Sequence, residues 1–157
     1  NDYSELAQLA LQAGSRAEAK QVIDKGFAAG VLGTGPEAER HKRLRDLVDK
    51  RQEEAKKTQV EEEKQALAAK DGNDLLIIGM NKVYQGDKAR GVEQMQQAIA
   101  KGGLKRPEDA KLHLGIAQIA AADNAKAQAT FKTVAGKDGT ADLARLWSLY
   151  AKRVKAG

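Results

Sequence analysis

Hydrophobic positions along the chain fall into helical stripes. Leu44, Leu47, Val48 and Ala55 make one narrow stripe in the middle, and Leu143, Leu146, Trp147 and Tyr150 make another near the end. The run Leu75-Leu76-Ile77-Ile78 is the best strand candidate, but its continuation through Met80 and Val83 keeps helical spacing. Start signals recur throughout. Asp2-x-x-Glu5, Ser15-x-x-Glu18 and Thr58-x-x-Glu61 read as capping boxes, in which side chains satisfy orphan N–H groups at a helix start. Pro107 with Glu108 and Asp109 suits a first turn, and Asn73, Asp87, Asp123 and Thr140 suit N-caps. Stops fall at Gly14, Gly30, Gly33, Gly35, Gly72, Gly86, Gly102, Gly103, Gly136 and Gly139. The pattern predicts helices of roughly 12–15 residues joined by short turns.

Residues 36–72 differ from their surroundings. They hold ten basic and ten acidic residues, and opposite charges stand four apart at Glu39/Arg43, Arg45/Asp49, Asp46/Lys50 and Glu53/Lys57. Lys56-Lys57 before Thr58 and Glu61-Glu62-Glu63 after it give the charge order of one helix ending and another beginning. The segment therefore reads as a charged helical hairpin, about 37–57 and 59–70; a single rod over the same residues is the alternative.

Composition supports helices: 28 of the 157 residues are Ala and only six are aromatic, so close helix spacing is favoured. With no Cys, disulfides, zinc ribbons and thiol catalysis are excluded. No apolar run approaches the ~20 residues of a membrane-spanning helix, so no membrane insertion is expected. The sequence begins at Asn1 without a secretory leader, which reads as a mature form or an excised fragment.

Comparison of the chain with itself exposes a repeat. At an offset of 36, Leu75/Lys111, Ile78/Leu114, Gly79/Gly115, Gly86/Ala122, Gly91/Ala127, Met95/Phe131 and Ala98/Val134 align. At 72, Tyr3/Leu75, Leu6/Ile78, Ala7/Gly79, Gly14/Gly86, Ala19/Gly91 and Ile23/Met95 join them. Small residues at the Gly79 and Gly91 positions let the two helices of a unit approach closely, while Ile78/Leu114 and Met95/Phe131 fill the seam between units. A lone hairpin of this kind cannot bury its apolar face, so units stack.

The order large–x–x–large–small, a small residue at the turn, then small–x–x–x–large–x–x–small resembles the tetratricopeptide repeat, and is also similar to Sel1-type repeats. It covers 1–35 and 73–139. Lys111 departs from it where a Trp is typical, as do Lys82 and Gln118 where a Tyr is. The resemblance implies an all-α, right-handed superhelical solenoid of antiparallel hairpins. It would be one domain over 1–157: a repeat at about 1–35, the degenerate charged hairpin 36–72, repeats at 73–106 and 107–139, and a capping helix 140–155. The segments GFAAGVLGTG, AKGGLKRPEDAKLHLG and LARLWSLYAKR are similar to repeat proteins exported by proteobacteria, which implies a periplasmic or exported setting.

In such folds the first helices of the units line a concave groove that takes a peptide or helix. Carried onto this chain, the partner-binding residues would be Leu76, Met80, Val83, Asp109, Leu112, Ile116 and Ile119, with Ser4, Gln8 and Leu11 in the first unit. Lys82, Gln118 and Asp109 would stand at the polar edges. The implied function is a non-catalytic scaffold binding a protein or peptide. The competing account of so apolar a helix is burial beneath the charged segment or the last helix.

Other chemistry finds little footing. His41 and His113 lack partners at metal-ligand spacing, so neither metal nor cofactor is expected. The acidic pairs are explained by capping, and Gly30-Val-Leu-Gly-Thr-Gly-Pro lacks the strand and the Lys-Ser/Thr of a phosphate loop. No nucleophile–base pair marks an enzyme. The net charge of +5 gathers after residue 104, at Lys105, Arg106, Arg145, Lys152, Arg153 and Lys155. The alternative function is thus nucleic-acid binding by the basic C-terminal end, although stacking aromatics there are few.

Overall fold

Glycine and alanine at fixed intervals set where the helices turn back. A computed structural model describes residues 2–154, and every regular element in them is helical. The order is α1 (Asp2–Gln12), α2 (Arg16–Ala28), α3 (Ala38–Ala68), α4 (Asn73–Gln85), α5 (Lys88–Lys101), α6 (Pro107–Ala120), α7 (Asn124–Phe131) and α8 (Thr140–Arg153). The chain is all-α over these residues, with no strand at 75–78. Lys155 of the basic end lies outside them.

Three hairpins share one turn. At the end of α1, Gly14 N–H donates to Leu11 C=O (3.1 Å) and Ser15 N–H to Ala10 C=O (2.8 Å). After α4 the same two bonds run from Gly86 to Val83 (3.1 Å) and Asp87 to Lys82 (3.0 Å). After α6 they run from Ala122 to Ile119 and Asp123 to Gln118, both at 2.9 Å. This is the Schellman arrangement, which satisfies carbonyls at a helix end and needs a left-handed residue. That residue is Gly14 (φ 78°), Gly86 (φ 102°) and Ala122 (φ 61°). The next helix then starts from Ser15, Asp87 or Asp123, each with ψ of 65° to 67°. The offsets of 36 and 72 seen in the sequence are thus offsets of backbone geometry.

Close helix contact follows inside each hairpin. A Cβ on Gly91 would stand 2.6 Å from both Gly79 O and Val83 Cγ2, and one on Gly79 would meet Gly91 O at 2.8 Å. In the α6–α7 hairpin the ring of Phe131 lies over Gly115 in the same way. Ala7 and Ala19 hold these positions in α1 and α2 and are fully buried.

The chain divides into two compact units, the first ending at Lys64 and the second starting at Gln65. In the first, Ala7, Ala10, Ala19, Ile23, Leu32 and Val48 make the core. In the second, α4 packs on α5, α6 on both of these and on α7, and α8 on α6 and α7. Leu114 and Ala117 of α6 join Val83 and Met95 of the preceding hairpin in one apolar cluster.

The expected hairpin at 36–72 is corrected by α3, which runs unbroken from Ala38 to Ala68. Thr58 does not cap a second helix. Its hydroxyl lies 2.7 Å from Glu62 Oε1 and 3.5 Å from Ala55 C=O, so it is satisfied within a continuous helix. Up to Lys64, α3 is fastened to α2 by Lys20–Asp49 (3.0 Å), Arg16–Glu62 (3.5 Å) and the Arg45 guanidinium 4.8 Å over the Phe27 ring. Within the second unit, Lys101 Nζ donates to Leu67 and Ala69 carbonyls, both at 2.7 Å, and so closes the C-terminal end of α3.

Caps shift elsewhere too. Ser15 Oγ is buried without a hydrogen-bond partner, so no Ser15–Glu18 capping box forms. Asp123 does cap α7, accepting from Lys126 N–H at 3.2 Å. Thr140 opens α8 rather than preceding it, and both its N–H and its hydroxyl donate to Asp138 Oδ1. Asn73 opens α4, and its side chain donates to Asp71 Oδ1 and Gly103 C=O and accepts from Lys105 N–H.

Two substitutions should separate turn geometry from helix spacing in urea unfolding. Ala122→Gly relieves a left-handed alanine and should add about 0.5–1 kcal/mol, net of the extra chain entropy of glycine. Gly91→Ala presses a methyl onto the Gly79 carbonyl and should remove at least about 1 kcal/mol despite better helix propensity.

Candidate interaction surface

Helix α6 carries four of the residues expected to face a groove, and its two sides are covered differently. Leu112 is buried with Ala127, Phe131, Val134 and Ala144, and Ile116, Ile119 and Trp147 pack on that cluster. Val83 is buried beside Met95, Leu114 and Ala117, with Leu76 and Met80 packed against them. Val83 and Leu112 therefore belong to the core. Leu76, Met80, Ile116 and Ile119 are half-buried. The physical reason is that α7 and α8 lie over the side of α6 that holds Leu112 and Ile119, and α5 and α6 cover Val83.

The open line of α6 is Asp109, His113, Ile116 and Ala120, spaced three and four apart. Asp109 holds Arg106 at 3.6 Å and lies 3.7 Å from His113. His113 Nδ1 is 2.8 Å from the Asp109 carbonyl, a contact that only an Nδ1–H satisfies. Of the expected polar edges, only Asp109 is at one. Lys82 and Gln118 are buried, and Gln118 Oε1 accepts from the Thr130 hydroxyl at 2.7 Å, a polar link between α6 and α7.

Helix α8 carries four exposed large apolar side chains. Its inward positions are Thr140, Ala144 and Ala151, with Trp147 half-buried and edge-to-face with Tyr150 at 5.5 Å. On the other side Leu143, Leu146, Leu149 and Tyr150 are 49%, 62%, 55% and 51% exposed. Comparison with α6 shows what kind of face this is. Ala144 and Ala151 stand 34 positions beyond Ala110 and Ala117, which are the inward positions of α6. In that register Leu146 and Leu149 match Leu112 and Gly115, which lie buried beneath α7 and α8, while Tyr150 matches the half-buried Ile116. The Leu146–Leu149 side of α8 is thus the side that α6 of the same unit buries. The sequence stripe contained Leu143, Leu146 and Tyr150 but joined them to Trp147, which turns inward. Leu149 was missed, though its position three after Leu146 placed it on the same side.

Around this face Arg145, Lys152 and Arg153 are exposed, with Arg145 paired to Asp142 at 2.7 Å. In the first unit, Ser4 and Gln8 line a cleft of about 290 Å³ with Glu5, Arg40 and His41, while Leu11 packs on the core. The cleft lining mixes these polar groups with Val31 and Pro36. Among the described residues no three His, Asp or Glu side chains gather where they could hold a metal. No protein-family model, curated protein or solved structure matches the chain.

Several turns of the second unit are held by carboxylates. Asp71 is pulled below the ordinary carboxylate range by hydrogen bonds from Asn73, Asp123 by bonds from Lys126, and Asp138 by bonds from Thr140. A depressed folded-state value means that the stabilisation is complete above the unfolded value and lost as pH falls through the folded one. The melting temperature should therefore hold near neutrality and drop below about pH 4. Asp123→Asn should lower the plateau and make that drop shallower; an unchanged acid slope would remove Asp123 from the account.

Proposed function

We propose that this chain is a non-catalytic, protein-binding module built as a tetratricopeptide-like solenoid. The observation that carries the reading is the outer face of α8, where four large apolar side chains stand exposed in one stripe. Contiguous apolar surface of this kind marks interaction sites, whereas a terminal cap needs a polar outer side. The shared turn at offsets of 36 and 72 supports the repeat architecture, as does the serial packing of α4–α5, α6–α7 and α8. In this reading α8 is an open end and not a cap. The half-open line Asp109, His113 and Ile116, with Leu76 and Met80, borders the groove that the repeat resemblance implies. Leu143, Leu146, Leu149 and Tyr150 supply the main apolar contact, of the helix-in-groove type.

A dye that fluoresces on apolar surfaces separates the two faces. The wild-type chain should bind it. Leu146→Glu should remove most of the signal and leave the unfolding midpoint in place. Ile116→Glu should instead cost about 2 kcal/mol, because it puts a charge against a packed cluster. Absence of dye binding in the wild type, or full binding by Leu146→Glu, would contradict the reading.

A further inference from the structure

The position that fills the seam between hairpins changes its exposure along the chain. Leu114 in α6 is 7% exposed because Val83 and Met95 of the preceding hairpin lie against it. Ile78 in α4, 36 residues earlier, is half-buried. Leu6, 72 residues before Ile78, is 48% exposed, and Leu9 beside it on α1 is 61% exposed. The α1 face thus shows in the open what α6 keeps against a neighbouring hairpin. The α8 face shows the other half of the same problem: its Leu146 and Leu149 match Leu112 and Gly115, which lie beneath later helices in α6.

Charge tells which surface suits which. Helix α1 has Asp2 and Glu5 in its first turn and no basic residue. Helix α8 has Arg145, Lys152 and Arg153 against Asp142. Pairing α8 with α8 would set basic flanks together, and pairing α1 with α1 would oppose two acidic ones. An α1 face on an α8 face joins apolar to apolar and acid to base. We propose that the outer face of α8 in one copy takes the outer face of α1 in a second copy, so that the chain associates head to tail. This deepens the protein-binding reading and rests on it. Such an interface is heterologous: each copy keeps one free face of each kind, and assembly continues until geometry closes it.

Sedimentation at neutral pH and low salt tests this. The wild type should gain mass with concentration, and raising the salt should reduce the association as the flanking charges are screened. Leu6→Glu and Leu146→Glu each spoil one face at an exposed position, so each should be monomeric with unchanged helical circular dichroism. Mixed in equal amounts, they retain one good α1 face and one good α8 face, and should give a dimer and nothing larger. A wild type that stays monomeric at millimolar concentration overturns the proposal, as does self-association of Leu6→Glu at the wild-type level, which would mean α8 on α8. A monomeric wild type that still binds the dye through Leu146 ends the head-to-tail pairing and leaves the protein-binding reading standing. A monomer that binds no dye ends both.

Discussion

Backbone-to-backbone approach at Gly79 and Gly91 governs much of the second unit. With no side chain on either residue, α4 and α5 come close enough for a Cβ at one to strike the carbonyl of the other. Met95 then lies against Gly79 and reaches Leu114 and Ala117 of the next hairpin. The α6–α7 hairpin substitutes one ring for part of that approach, with Phe131 over Gly115 and Ala127 fully buried beside it. The same close spacing leaves alanine as the useful residue at inward positions, from Ala7 and Ala19 to Ala144 and Ala151. Small residues inside push the large apolar ones to the seams, and a seam with no neighbour becomes exposed surface.

The turns were the most legible part of the sequence. A left-handed residue after a helix is a local requirement, so Gly14 and Gly86 announce it directly, and the repeat offset extends it to Ala122 without a glycine. Element type was legible for the same reason: helical spacing through Met80 and Val83 outweighs four β-prone residues at 75–78. Capping boxes were less so. Thr58-x-x-Glu61 has the residues of a helix start, but the hydroxyl finds partners at Ala55 and Glu62 in an unbroken helix, and nothing local forbids that. The opposite charges four apart favour continuity of α3 as much as a hairpin.

The candidate surface was half legible. Helical periodicity identifies stripes but not what covers each one. Leu112 and Val83 look like groove residues by position, and the neighbouring helices bury them. Trp147 and Leu146 are adjacent in sequence, but about 100° of helix rotation puts Leu146 outside and turns Trp147 toward the side of Ala144 and Ala151. The basic excess at the end of the chain gains a location too: Arg145, Lys152 and Arg153 flank an apolar stripe.

The most direct test of the account is a concentration series of amide chemical shifts across the assigned chain. As concentration rises, shifts should move together on the outer side of α8, at Leu143, Leu146, Leu149 and Tyr150, and on α1 at Leu6 and Leu9. Shifts confined to the Asp109–His113–Ile116 line, or none at any concentration, would contradict it.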